Sequence, residues 1–309
     1  MSSMRPPVVA AIIIHWNQEE LTCDTIISLL QTGYAELKII LVDNGSTNGS
    51  GERIAVEFPE IMMVRSEDNL GYAGGANLGF AASLETNAEY HFLLNNDVAL
   101  DKGIIEELLA VMESEDEKRI GLCVPKIYFF DEPQKIWFAG GDIDLSTGLC
   151  RHIGFGRVDC AEYSEQRDCT FANGCAMFIR REALANVGLF DTSYFHTGED
   201  VDYSLRLVSE GYRIVFVPKA RLWHKIRASA GGTEKATFRY LYYEHRNRVL
   251  IMKKYFSNNF RMNSYLALAR FYIRSVMNEI SAGNAAGAKG ILCGLFDGCR
   301  GISGIRDLK

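Results

Sequence analysis

Four short stretches hold side chains that could do acid–base or metal chemistry. "LLNND", residues 93–97, is an apolar run that ends in two amides and a carboxylate, Asn95, Asn96 and Asp97. "GEDVD", residues 198–202, places Glu199, Asp200 and Asp202 directly after a glycine at the start of a helical pattern. "LWHK", residues 222–225, offers His224, and "EDNLGYAGGANLGF", residues 67–80, surrounds Asn69 and Asn77 with glycines at 71, 74, 75 and 79. A carboxylate at the edge of a cleft can act as a general base. A carboxylate and an imidazole brought together can ligate Mn²⁺ or a similar ion. A glycine-rich turn ahead of a helix admits the close approach of a phosphate or a sugar. Each stretch also has a plainer use. Asn and Asp build turns at strand ends, acidic residues at a helix start favour its dipole, and a lone histidine is commonly a surface or core residue. Glu199 and Asp200 are neighbours and project differently, so one faces a substrate while the other caps or orients.

These residues need elements to carry them. "VVAAIII", residues 8–14, is a continuous apolar β-prone run, as expected of a strand buried on both faces. "LKIILVDNGST", "IMMVRSEDN", "YHFLLNND" and the start of "IGLCVPKIYFF" read as four more strands, with helical patterns between them. One of those helices, over "KGIIEELLAVMES", takes Asp101 as its N-cap. Such alternation predicts a parallel sheet with helices on both faces, and ligands in such sheets bind outside the carboxyl ends of the strands. His15-Trp16-Asn17, Asp43-Asn44-Gly45, Asp68-Asn69 and Asn95-Asn96-Asp97 all fall at such ends. After Pro125 the chain turns short, aromatic and glycine-rich, which reads as hairpins and loops able to cover the sheet edge. A strand ending near Pro218 comes before His224, and from about Glu234 the pattern is helical to the end.

Bulk composition narrows the classes. With 48% apolar and 23% charged residues over 309, the chain is an ordinary globular protein with a sizeable core. Its start reads as a first strand rather than a signal peptide, and no run has the length of a clean membrane-spanning helix. Eight scattered cysteines without a Cys-x-x-Cys pair are expected to be reduced thiols in a cytoplasmic protein. The glycine stretch lacks G-x-G-x-x-G spacing and no Walker A sequence is present, so neither a nicotinamide site nor a P-loop is expected. The net charge of −6 is uneven. Residues 235–309 hold 13 Lys and Arg against four Asp and Glu, a net of +9, which leaves −15 for residues 1–234.

In order, "IIIHWNQEE", "LVDNGST", "NLGYAGGANLGF", "LLNNDV", "FANGCAMFIRREALANVGLFD", "FHTGEDVDYSLRL" and "LWHK" resemble glycosyltransferase family 2, closest to its bacterial rhamnosyltransferase-like branch. The resemblance spans roughly residues 8–256, and the ordered set of seven motifs is far more specific than any one of them. It implies an α/β GT-A fold over 1–233, with a nucleotide-sugar-binding half (1–125) and an acceptor-binding half (126–233), followed by a basic helical region (234–309). It implies an inverting transfer from a nucleotide-diphosphate sugar, assisted by a divalent metal, Mn²⁺ or Mg²⁺. It puts Asp43 at the nucleobase, Asn17, Asn69, Gly71 and Asn77 around the donor, and Asn95, Asn96 and Asp97 at the diphosphate. Asp97 and His224 become the metal ligands, and Asp200 the base with Glu199 beside it. Trp137, Gly140, Gly141 and Asn173 fall where an acceptor or sugar pocket is shaped, and a hairpin with a buried tryptophan accounts equally well for the first three. This chain has Asn95 where the family's DXD-like motif begins with aspartate, so the metal site loses one negative charge and is expected to fill only with the donor's phosphates.

The resemblance favours dTDP-rhamnose as donor, with a UDP-sugar next, and a saccharide or lipid-linked saccharide acceptor in cell-envelope polysaccharide synthesis. A sugar-1-phosphate nucleotidyltransferase is the enzyme alternative, and its glycine- and arginine-rich opening loop is absent. A glycan-binding scaffold without catalysis is the other, and Asp97, Asp200 and His224 argue against it. The end of the chain mixes Tyr240, Tyr242, Tyr243, Leu250 and Phe256 with Arg239, Arg246, Arg248, Lys253 and Lys254. That reads either as helices packed on the body with a solvated charged face, or as an amphipathic surface at the inner face of an anionic membrane. The same helices offer a surface on which two copies could pair. No recognised nucleic-acid motif is present, so no nucleic-acid partner is expected.

Overall fold

The structure, a computed structural model, describes residues 5–114, 119–144, 147–225, 234–256 and 262–306. The glycine-rich stretch after His224 lies outside the described residues. The first apolar run forms β1 (Val9–His15), buried along its whole length. It pairs in parallel with β2 (Leu37–Asn44) on one side and β4 (Tyr90–Asn95) on the other, and β3 (Met62–Ser66) extends the sheet beyond β2. Helices α1 (Glu19–Leu30), α2 (Ser50–Glu57) and α3 (Gly71–Leu84) make the crossovers. The carboxyl ends of β1 to β4 therefore meet at one edge, as expected.

The next part departs from the simple alternation. The fifth predicted strand, β6 (Ile120–Phe129), does not lie beside β4. Strand β11 (Ala176–Arg180), drawn from much later in the chain, is inserted between them and is antiparallel to both. Two antiparallel steps restore direction, so β6 still ends at the same edge as β4, and β11 begins there. The last strand, β12 (Arg213–His224), runs parallel to β6. It does not stop near Pro218. An irregularity between Val217 and Arg221 absorbs the proline, which has no N–H for the ladder, and pairing resumes to His224. That second half also pairs with the short β5 (Val98–Leu100), with His224 opposite Val98. Asp101 does not cap α4 (Ile104–Met112). Gly103 takes that position in a left-handed conformation, and the Asp101 carboxylate accepts from Arg221 Nε at 2.9 Å. The glycine-rich middle folds as expected into β7 (Ile136–Phe138) and the hairpin of β8 (Gly141–Asp144) and β9 (Leu149–His152); a further short strand, β10 (Arg167–Cys169), edges β12.

Helices α5 (Arg181–Val187) and α6 (Glu199–Ser209) precede β12 in sequence, and α7 (Glu234–Ile251), α8 (Met262–Ser281) and α9 (Ala285–Cys299) follow. A π-helical turn, Met252–Phe256, ends α7. Gly290, Gly294 and Gly298 line one face of α9, where an added Cβ would run into Phe238 O, Tyr242 O and Val249, so the α7 backbone lies directly on α9. The basic end is therefore not a solvated tail. Arg246 and Asn247 of α7 are both fully buried. Among the described residues no helix is long and apolar enough to cross a membrane, and all eight cysteines are free thiols.

Gly71 opens α3 with φ +73°, and a Cβ there would collide with Phe195 O, which accepts the Tyr72 N–H at 2.8 Å. Gly33 has the same φ with nothing within 4 Å. Gly33→Ala is expected to lose about 1 kcal/mol from the left-handed backbone alone. Gly71→Ala is expected to lose at least about 2 kcal/mol more in urea unfolding, because a packed contact must also move. Equal losses would mean that the Phe195 contact is not tight.

Candidate active site

Asp97 lies in the two-residue link between β4 and β5, so the register of β12 brings His224 to it. His224 Nε2 is 3.0 Å from Asp97 Oδ1, with the two side chains 9% and 1% exposed. The contact is close but poorly directed: neither Asp97 oxygen and neither His224 nitrogen has a hydrogen-bond partner. Buried polar atoms without partners are costly. Burial pushes the His224 imidazolium down, but the Cys175 sulfur and the Asp97 carboxylate outweigh it and raise the pKa to about 10. Burial in turn raises the Cys175 thiol. The Trp137 ring stands edge-on between His224 at 4.8 Å and His152 at 5.0 Å.

The second cluster is tied to the first through residues 173–175. The Gly174 N–H donates to Asp200 Oδ2 at 3.0 Å, and the Val201 N–H to Oδ1 at 2.8 Å. The Gly174 carbonyl accepts from Tyr72 Oη at 2.5 Å, and the Cys175 carbonyl from the Asn95 N–H at 3.0 Å. One turn thus touches the end of β4 and the start of α6 together. Burial raises the Asp200 pKa against these backbone donors. Burial and the Asp200 charge push Glu199 up to about 8, and Glu199 Oε2 has no partner at 4% exposure. Asp202 has a different use. It is fully buried and accepts from Arg206 Nε (2.8 Å), Lys254 Nζ (2.7 Å) and Tyr255 Oη (2.6 Å), which pins α6 to the π-helical turn. The turn into α6 is strained, with φ +59° at Phe195 and +65° at Thr197, each worth about 1–3 kcal/mol.

The sequence profile described as "Glycosyltransferase like family 2" matches residues 6–242. The chain belongs to that family. It is 27% identical over 215 residues to the N-acetylglucosaminyl-diphospho-decaprenol L-rhamnosyltransferase of Mycobacterium tuberculosis, covering 63% of this chain and 68% of that one. It is 23% identical to the poly-beta-1,6-N-acetyl-D-glucosamine synthase of Staphylococcus aureus, covering 73% of this chain and 52% of that one. Two solved structures share the GT-A fold. GalNAc-T7 with UDP, GalNAc and Mn²⁺ matches at TM-score 0.62 and 18% identity, over 89% of this chain and 51% of that chain. The mannosyltransferase PcManGT of Pyrobaculum calidifontis with GDP-Man and Mn²⁺ matches at 0.59 and 13%, over 96% and 88%. The protein is a glycosyltransferase, which sets aside the nucleotidyltransferase and scaffold alternatives.

In this glycosyltransferase three of the expected donor residues gather at the ends of β1, β2 and β3. Asn17, with φ +59°, clamps two loops: its N–H donates to Ser46 Oγ at 3.0 Å and its Oδ1 accepts from the Thr47 N–H at 2.9 Å. Asp43 is fully buried, with Oδ1 bonded to the Ser46 N–H at 3.0 Å and Oδ2 left without a hydrogen bond. Asn69 Oδ1 accepts from the Gly71 N–H at 2.9 Å. Asn96 turns inward, donating to Thr22 Oγ1 at 3.0 Å and Gln18 Oε1 at 3.2 Å.

Other expectations change. The Asn77 amide is occupied at both ends by the Phe190 backbone, at 2.9 Å each, so it packs α3 against the chain before α6. An added Cβ on the glycines of the 71–79 stretch would meet protein: Phe195 at Gly71, Ile14 and Asn44 at Gly75, Ile12 at Gly79. Gly140 and Gly141 likewise lie against Cys169 and Phe171. Asn173 Oδ1 accepts from the Cys175 N–H at 2.9 Å, and its Nδ2 is 3.4 Å from His152 Nε2. Tyr72, His152 and Cys175 were not singled out in the sequence. Tyr72 and Cys175 sit inside quoted motifs, where glycine and asparagine drew the reading; His152 closes the stretch 136–152, where Trp137 and the glycines drew it.

The raised Glu199 pKa has a consequence for stability. Between the ordinary carboxylate range and about 8 the unfolded chain has lost a proton that the native protein keeps, so stability falls as pH rises through that window. Glu199→Gln removes the penalty. Its melting temperature is expected to match wild type near pH 5 and to exceed it progressively up to pH 8. A constant difference across that range would show that Glu199 ionises normally.

Proposed function

We propose that this glycosyltransferase moves a sugar, with inversion, from a nucleoside-diphosphate donor to a saccharide or lipid-linked saccharide acceptor in cell-surface polysaccharide synthesis. The observation that carries the reading is the joining of Asp200 and the Asp97–His224 pair through residues 173–175 at the carboxyl edge of the sheet. The mycobacterial relative, by its name, transfers rhamnose to a lipid diphosphate sugar, which supports dTDP-rhamnose first and a UDP-sugar second.

Asp97 and His224 suit a divalent metal, Mn²⁺ or Mg²⁺. Their facing atoms are unpartnered, and 3.0 Å is the spacing of adjacent ligands that each lie about 2.1 Å from one ion. Among the described residues no group of three His, Cys, Asp or Glu is arranged to hold a metal, so the donor's phosphates complete the site. When bound, the ion supplies Lewis-acid neutralisation of the departing diphosphate. Asp200 takes the proton of the attacking acceptor hydroxyl. Its two backbone N–H bonds aim the carboxylate and favour its charged form, while Glu199 keeps its proton near pH 7. The charge of this close pair therefore rests on Asp200.

A second reading concerns the surface. On α8, Tyr265, Ile273, Met277 and Ile280 are 54–65% exposed, and exposed Arg270 and Arg274 stand beside them. Apolar side chains beside arginines suit the interface of an anionic bilayer, where a lipid-linked acceptor would be met.

Calorimetry with dTDP and UDP in Mn²⁺ is expected to separate the two clusters. Asp200→Asn should bind nucleotide within about twofold of wild type while losing roughly a thousandfold in turnover. Asp97→Ala should lose the Mn²⁺-dependent part of nucleotide affinity. Full turnover by Asp200→Asn removes it as base, and unchanged affinity of Asp97→Ala removes the metal assignment. In sedimentation with phosphatidylglycerol vesicles, binding at low salt should fall in Ile273→Glu and at high salt. No binding at low salt would exclude the membrane reading, and a concentration-dependent dimer would assign the face to a second copy.

A further inference from the structure

The turn that delivers Glu199 and Asp200 is held by the far end of the chain. Asn247 Nδ2, on α7, lies 2.7 Å from Tyr194 O, 2.9 Å from His196 O and 2.7 Å from Thr197 O. These carbonyls flank the two residues with positive φ, and the left-handed turn points them together toward one donor. Asn247 is itself oriented: its Oδ1 accepts from Arg246 Nε at 2.9 Å, and Arg246 also donates to Gly304 O at 2.6 Å and Tyr194 O at 3.2 Å. Both side chains are fully buried. The Phe195 ring packs on Tyr243 of the same helix at 5.1 Å, and on the other side Phe195 O accepts the Tyr72 N–H. A Cβ on Gly198 would come within 3.3 Å of Asn247, so the helix sits directly against the start of α6. Relaxing this turn by rotating Phe195 or Thr197 to negative φ would swing Asp200 away from the Gly174 N–H.

We propose that Asn247 is a positioning residue for catalysis: it holds residues 194–198 in their strained conformation and so sets the Asp200 carboxylate against the 173–175 turn. The inference rests on the reading of Asp200 as the base. It makes α7 a working part of the active site, although the family match ends at residue 242.

The test compares Asn247→Ala with Tyr242→Phe. The second variant removes the bond from Tyr242 Oη to Asp297 Oδ2, 2.8 Å, between α7 and α9, and leaves the three Asn247 bonds in place. Both should lower the melting temperature. Asn247→Ala should bind dTDP or UDP with Mn²⁺ within about twofold of wild type, lose roughly tenfold or more in kcat, and shift the base-limited arm of the pH–rate profile. Tyr242→Phe should keep kcat and the profile. Equal loss of kcat in both, or a kcat for Asn247→Ala that tracks only its folded fraction, overturns the proposal. Hydrogen exchange distinguishes its failure from that of the functional reading. If the wild type turns over no nucleotide sugar, the functional reading fails. Faster exchange of the amides at 196–201 in Asn247→Ala, and not in Tyr242→Phe, would then still uphold the brace, and unchanged exchange would remove it.

Discussion

The hydrogen bond from the Gly174 N–H to Asp200 depends on where β11 enters the sheet. This strand is antiparallel to both neighbours, so its first residues arrive at the edge where β4 ends and β6 and β12 also end. Two successive residues then face opposite partners. One fixes a carboxylate of α6 and the other fixes the backbone of Asn95. Were β11 absent and β6 paired directly with β4, the strand ends would still share an edge, but no turn would lie between the two clusters. The distance between a base and a charge-binding pair is what a displacement reaction needs to have set, and here backbone geometry sets it.

Burial then sorts the charges. Glu199, Asp200 and Asp202 stand within four residues on one helix start, yet their surroundings differ. Asp202 meets Arg206 and Lys254 and becomes a strut. Asp200 meets two backbone N–H groups, and Glu199 has an oxygen with no partner. Ionising two adjacent buried carboxylates is unfavourable, so one proton is kept and the pair carries a single charge near neutrality. The Asp97–His224 pair follows the opposite logic: the Cys175 sulfur and the buried carboxylate favour a proton on His224, which a metal ion held there would displace. The acidic residues of the body and the basic residues of the end also meet inside the protein. Lys254 reaches Asp191 as well as Asp202. Some of the apparent charge asymmetry is thus internal pairing between distant parts of the chain.

Much of the fold was legible because periodicity is local. The four parallel strands, their helices and the helical end follow from apolar runs and their spacing. The insertion of β11 was not legible, because a short apolar strand looks the same whichever neighbours it takes. The course of β12 past Pro218 was hidden for a related reason: the proline argues for a stop, and only pairing with β5 and β6 carries the strand on. The glycines of 71–79 were read as space for a ligand. Space for a ligand and space for Phe195 or Ile12 have the same sequence signature.

The sequence by itself determined the family, the α/β architecture and the residue types at the strand ends, since these depend on side-chain chemistry and short-range pattern. Only the tertiary structure decided which of them act together. Asp97 meets His224 because strand register aligns residues 127 apart, and Asn77 is taken up by Phe190 because α3 packs there. Arg246 and Asn247 read as part of a charged helix, and become a buried brace because α7 lies against a turn that begins some fifty residues earlier. Contacts of that range are set by packing and by the need to satisfy buried polar groups, and no local pattern in the sequence encodes them.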